Sequence, residues 1–114
     1  MKKPIFLYLM LCSFTLVYAQ TKKADSLKAV LQHTKNDIDK EKTLNALADE
    51  YKTIDPKPMR EYATQALALS QKIQYKIAEG NAQLNLGNAA IILGNYTQAL
   101  QHFVSAQNIF ENET

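Results

Sequence analysis

Leu86-Gly87-Asn88-Ala89-Ala90-Ile91-Ile92-Leu93-Gly94-Asn95-Tyr96-Thr97-Gln98-Ala99-Leu100-Gln101-His102-Phe103-Val104-Ser105-Ala106 is the stretch on which the fold turns. Two helix backbones approach closely only where a side chain is nearly absent, and Gly87 and Ala99 supply that. Phe103 and Ala106 continue the Ala99 face at helical spacing. Gly94 is placed to adopt the left-handed conformation that closes a helix. The stretch therefore reads as two antiparallel helices, packed together and joined at Gly94-Asn95.

Working outward, periodicity and punctuation predict five helices and no strand. The first runs from about Ala24 to Thr34, with Leu27, Val30 and Leu31 on one face and Lys28, Gln32 and Lys35 on its polar flank. Asn36-Asp37 breaks it and can cap the second, about Ile38 to Thr53, where Leu44, Leu47, Ala48 and Tyr51 form an amphipathic stripe. Asp37, Asp39 and Glu41 lie near its start, where the helix dipole favours negative charge. Asp55-Pro56 is a strong start signal: the Asp accepts from a free backbone N–H and Pro has the helical φ preset. The third helix then reaches about Ile73, with Met59, Tyr62, Ala63, Ala66, Leu67 and Leu69 available for packing. The fourth covers about Lys76 to Leu93, and Asn95 is expected to cap the fifth, about Tyr96 to Glu111.

The segments also repeat. A shift of about 40 residues brings Met59, Ala63 and Ala66 onto Ala99, Phe103 and Ala106, and a shift of about 39 brings Leu47 and Ala48 onto Leu86 and Gly87. Leu86, Gly87, Gly94, Tyr96, Ala99, Phe103 and Ala106 match the signature of the tetratricopeptide repeat, so the chain resembles that family. Gln83 stands where Trp is usual, Ala90 where Tyr is usual and Glu111 where Pro is usual. The resemblance implies an all-α fold of antiparallel helix pairs, a short tetratricopeptide-type α-solenoid of about five helices. Residues 37–75 would form repeat one and 76–114 repeat two. Residues 20–36 would be an N-terminal helix, either a degenerate half repeat or a cap.

The first nineteen residues differ from the rest: Lys2 and Lys3, an apolar run from Ile5 to Tyr18, then Val17-Tyr18-Ala19. This is the layout of a secretory signal peptide over residues 1–19, with an uncleaved anchor as the alternative. Its apolar run is shorter than the roughly 20 residues of a membrane span, and Leu11 before Cys12 argues against lipid attachment there. The expected location is the periplasm or the exterior. Together with Ala24-Asp25-Ser26-Leu27 and the segment from Tyr62 to Leu67, this leader resembles exported N-terminal regions of Bacteroidetes tetratricopeptide sensor proteins. Without Lys2 and Lys3, Lys plus Arg falls from 13 to 11, equal to the 11 Asp plus Glu. A neutral chain gives no electrostatic reason to bind nucleic acid or an anionic membrane. The sequence has one cysteine, inside the leader, so the exported chain forms no internal disulfide and helix packing must stabilise it.

Little in the sequence points to catalysis, a cofactor or a metal. No Gly-rich loop ends in Gly-Lys-Ser/Thr, and Gly80, Gly87 and Gly94 stand at a helical step of seven that favours close helix contact over phosphate binding. His33 and His102 lie on separate helices and are expected to be solvated. The Asp37-to-Glu41 cluster lacks the central glycine and terminal glutamate of a calcium loop.

A binding role fits better. In the tetratricopeptide family the first helix of each repeat lines a concave surface that holds a protein or peptide partner. Carried over, the resemblance assigns that surface to Lys42, Asn45, Asp49 and Lys52 in repeat one. In repeat two it assigns Asn81, Leu84, Asn85, Asn88, Ile91 and Ile92. The Asn amides offer donors and acceptors to a peptide backbone, with an apolar strip beside them. Leu84 stands where members that bind a peptide's terminal carboxylate carry Lys, so that specificity is not implied. The last helix carries more apolar residues than one face can bury, with Leu100, Val104 and Phe110 as the candidate interface. A terminal solenoid repeat needs cover on its outer side. A partner, self-association, or further helices of a longer array would each supply it. The alternative function is the N-terminal input portion of a signal-transduction protein, a histidine kinase or transcriptional regulator, testable from the downstream reading frame.

Overall fold

Residues 22–113, with Tyr8 and Met10, are described by the computed structural model. The leader assigned to residues 1–19 otherwise lies outside them. Among the described residues there are five helices and no strand: α1 (22–33), α2 (Asp37–Tyr51), α3 (Pro56–Lys72), α4 (Lys76–Ile92) and α5 (Tyr96–Asn112). None is long and apolar enough to cross a membrane.

Backbone devices set the boundaries. Asn36 Oδ1 accepts from the N–H groups of Ile38 (2.8 Å) and Asp39 (3.3 Å) and so starts α2. Asp55 Oδ1 accepts from Lys57 N–H at 3.0 Å, and Pro56 opens α3. Gly94, at φ 80°, ends α4: its N–H donates to Ile91 O and that of Asn95 to Ala90 O, a Schellman closure. The end of α3 is built identically, Gln74 N–H donating to Gln71 O and Tyr75 N–H to Ser70 O, yet Gln74 takes the left-handed backbone at φ 58°. Asn95 does not cap α5 through its side chain. Its ψ of 70° departs from the extended backbone of Asn36 (129°) and Asp55 (121°) that aims a side chain at the first-turn amides.

Short connections force neighbouring helices antiparallel. Each of α2 to α5 packs on the next, and α2 also meets α4. Met59, Ala63 and Ala66 on α3 and Ala82 and Ala89 on α4, all fully buried, join Leu44, Ala48 and Leu86 in the core, where Tyr62 and Leu67 bridge its two clusters. Between α4 and α5 the contact is aromatic on glycine. The Phe103 ring covers Gly87 and the Phe110 ring covers Gly80, so closely that an added Cβ would lie 2.5 Å from each ring. The opposed numbering of those two pairs is the signature of antiparallel helices. On α1, Ala24 is buried and Leu31 reaches the core, whereas Val30, expected on the inner face, is exposed. Lys28 lies over the Tyr51 ring at 5.4 Å, and Tyr51 stacks on Tyr62.

Candidate functional site

The face shared by α2 and α4 has a groove of about 440 Å3. Its α2 wall is Asn45, Ala46, Asp49 and Lys52, and its α4 wall is Asn81, Leu84, Asn85 and Asn88. Asn45, Asp49 and Lys52 are spaced i, i+4, i+7, as are Asn81, Asn85 and Asn88, so each trio is one stripe of a helix. Helix packing turns the two stripes toward one another. Buried apolar stripes such as Ala82-Leu86-Ala89 set the rotation of α4 about its axis and thereby aim the asparagines.

Asn45 is the fixed point of the groove. Its Nδ2 donates to Glu41 Oε1 at 2.7 Å and reaches Ala78 O of α4 at 3.4 Å, tying the two walls together. Its Oδ1 is buried with no hydrogen bond, and an unpaired buried acceptor costs about 1–3 kcal/mol. Glu41 is 1% exposed, and burial pushes its carboxyl up to about 6. The Asp37-to-Glu41 cluster thus divides: Asp37 and Asp39 stay in the exposed first turn, while Glu41, one turn on, points inward. Sequence reasoning placed Glu41 with its acidic neighbours and missed this role. The signal was its spacing, since Glu41 precedes Leu44 and Ala48 on the buried face.

The other groove amides are unspent. Asn85 is 9% exposed, lines the groove and, like Asn81 and Asn88, makes no side-chain hydrogen bond among the described residues. Asp49 and Lys52 form no ion pair among those residues. The groove therefore offers several amide donors and acceptors, one carboxylate and one ammonium, around a single leucine. Such a set suits the N–H and C=O groups of an extended chain.

Seven of the sequence-predicted surface residues meet here: Asn45, Asp49, Lys52, Asn81, Leu84, Asn85 and Asn88. Lys42, Ile91 and Ile92 are exposed but do not line the groove. With Asn45 level with Ala78, α2 runs out at Lys52 before α4 reaches Ile91, and Lys42 stands near the other end. Ala46 completes the wall and carries no sequence signal, being small and apolar. Of the candidate interface on α5, Leu100 and Val104 are exposed, whereas Phe110 is half-buried on Gly80. Tyr96, part of the repeat signature, is exposed.

Neither histidine lines the groove. His33 is exposed, but His102, expected in solvent, is half-buried with Nδ1 2.8 Å from Gln83 Oε1; burial lowers its pKa. Among the described residues no three His, Cys, Asp or Glu side chains come together as a metal site. Comparison with protein-family models, with curated proteins and with solved structures found no match for the chain.

Proposed function

We propose that this chain is an exported tetratricopeptide-repeat protein whose α2–α4 groove binds an extended segment of a protein or peptide partner, without catalysis. The observation that carries the reading is the pair of facing stripes, Asn45-Asp49-Lys52 and Asn81-Asn85-Asn88, along one groove. The repeat signature and the leader support the family and the export. Recognition is by a preformed surface: the core rigidly sets both walls, so little ordering is needed on binding. The free amides of Asn85 and Asn88 pair with the backbone of the ligand, Leu84 contacts one of its apolar side chains, and Asp49 and Lys52 bias the charge of the flanking residues.

The test is a display selection of random short peptides on the chain, followed by titration of enriched peptides against wild type and Asn85→Ala. A hydrogen bond of this kind contributes about 1 kcal/mol, so affinity should fall roughly fivefold for peptides of unrelated sequence. Peptides that bind Asn85→Ala as tightly as wild type, or no enrichment at all, would sink the reading.

A further inference from the structure

A second face of the molecule is unoccupied and chemically unlike the groove. On α4, Ile77, Leu84 and Ile91 stand at steps of seven and are all exposed. On α5, Tyr96, Leu100 and Val104 are exposed, at 71, 64 and 45%. Between the two helices lies a hollow of about 490 Å3 lined by Leu84, Phe103, Gln107, Phe110 and Glu111. Scattered exposed apolar residues are normal, but a contiguous face of them marks an interaction surface.

The geometry points to a second copy of this chain as the occupant, paired two-fold so that the Leu100–Val104 ridge of each α5 lies in the hollow of the other. Four observations favour that partner. First, ridge and hollow lie on the same face, which is the self-complementarity a two-fold interface requires. Second, the face carries almost no charge. Along α4 and α5 the acidic and basic residues are Lys76, Glu79 and Glu111. Lys76 pairs with Glu79 at 3.2 Å, and Glu111 accepts from Gln107 at 3.0 Å. That leaves Glu111, near the end of α5, as the net charge of these two helices, so an identical face meets little field of its own sign and little selects a charged partner. Third, two side-by-side helices of 17 residues, each about 25 Å long and about 10 Å across, present a footprint on the order of the ~800 Å2 that one partner commits to a stable pair. Fourth, the repeat shifts of 39 and 40 carry Leu84, Phe103, Gln107 and Phe110 back onto Asn45, Ala63, Leu67 and Ser70. That earlier seat is filled by a helix, α4, through Ala78, Ala82 and Leu86. The hollow is thus shaped for a helix, and a second copy offers α5 with its ridge exposed.

The inference is independent of the groove, which it touches only at Leu84. The test is the mass of the purified 114-residue chain by light scattering across a dilution series, alongside the double variant Leu100→Glu/Val104→Glu. The expected result is a dimer for the wild type. The variant should be a monomer of unchanged helix content, its dissociation constant raised by about 100-fold or more, because two charges would be desolvated without partners. In a Cys12→Ser background, Val104→Cys should cross-link between copies under mild oxidation far faster than Gln98→Cys, an exposed position about a third of a turn around α5. A monomeric wild type overturns the inference and assigns the face to a helix from a different chain or a longer one. A dimer that survives the double variant, or equal cross-linking at both positions, overturns it by placing association elsewhere.

Discussion

Gly87→Ala asks most directly how α4 and α5 are held together. A Cβ built at Gly87 lies 2.5 Å from Phe103 Cε1, 2.7 Å from Cδ1 and 2.9 Å from Cζ. Carbon atoms in contact sit about 3.5–4.0 Å apart, so the ring must retreat by roughly 1 Å. Overpacking of this kind costs about 1–3 kcal/mol, while Ala in a helix interior regains about 1 kcal/mol over Gly. The expected net effect is a loss of about 1 kcal/mol, which lowers Tm by roughly 4–8 °C in a domain of this size. Urea and thermal unfolding followed by far-ultraviolet circular dichroism measure it. Phe103→Leu supplies the second arm: alone it removes a packed ring, but in the Gly87→Ala background it also relieves the clash. The two changes should therefore couple by more than about 0.5 kcal/mol, beyond what independent sites show. Gly80→Ala should behave likewise against Phe110, with a smaller loss because Phe110 sits in the last turn of α5. Additive losses, or a Gly87→Ala chain stabilised by its full propensity gain, would refute the aromatic-on-glycine account.

Glu41→Gln should change the pH dependence of stability. The folded carboxyl titrates at about 6 against an ordinary 4.5, so the folded chain holds the proton more tightly than the unfolded one. This group's contribution to stability is therefore greatest below 4.5, falls as pH rises to 6 and stays low above. At 1.36 kcal/mol per unit the difference is about 2 kcal/mol. The Gln variant should gain about that much at pH 7 and nothing below pH 4; parallel wild-type and variant curves in urea titrations would contradict it. Gln74→Gly should stabilise by roughly 0.5–1 kcal/mol, since a left-handed backbone costs an L residue about 1–2 kcal/mol and Gly enlarges the unfolded ensemble. A destabilised variant in the same unfolding assay would mean that the Gln74 side chain itself holds the turn.

Much of the fold was legible because its punctuation is local. Asn36, Asp55-Pro56 and Gly94 act within a few residues of where they stand, and the helix ends fall beside them. The turn at Gln74 shows the limit: Gln carries no left-handed signal, and the packing of α3 on α4 imposes that conformation. Asn95 shows the converse, a residue with the right chemistry held by the preceding turn at a backbone angle that misdirects it. The groove is legible where it depends on a stripe of one helix; Lys42, Ile91 and Ile92 lie outside its lining, where the stagger between two helices decides. The sequence groups Glu41 with the acidic residues at the start of α2 and points His102 toward solvent. Each is instead drawn inward by the apolar positions one turn away on its own helix.

Helix α4 explains why ligand recognition and fold can be separated in this chain. Its circumference is divided into four stripes, each with a different neighbour. Ala82, Leu86 and Ala89 lie in the core with α3, and Gly80 and Gly87 receive the rings of α5. Those stripes leave almost no room for larger side chains. Asn81, Asn85 and Asn88 face the groove, and Ile77, Leu84 and Ile91 face outward. The last two stripes lie off the apolar core clusters and the glycine seam, although Asn85 is nearly buried and Leu84 lines both the groove and the outer hollow. Substitutions at Asn81 and Asn88 should therefore alter what the groove accepts while leaving helix content and unfolding midpoint nearly fixed, whereas any side chain added on the glycine stripe must move α5. That asymmetry lets one small, disulfide-free helical stack keep its shape while its binding surface varies.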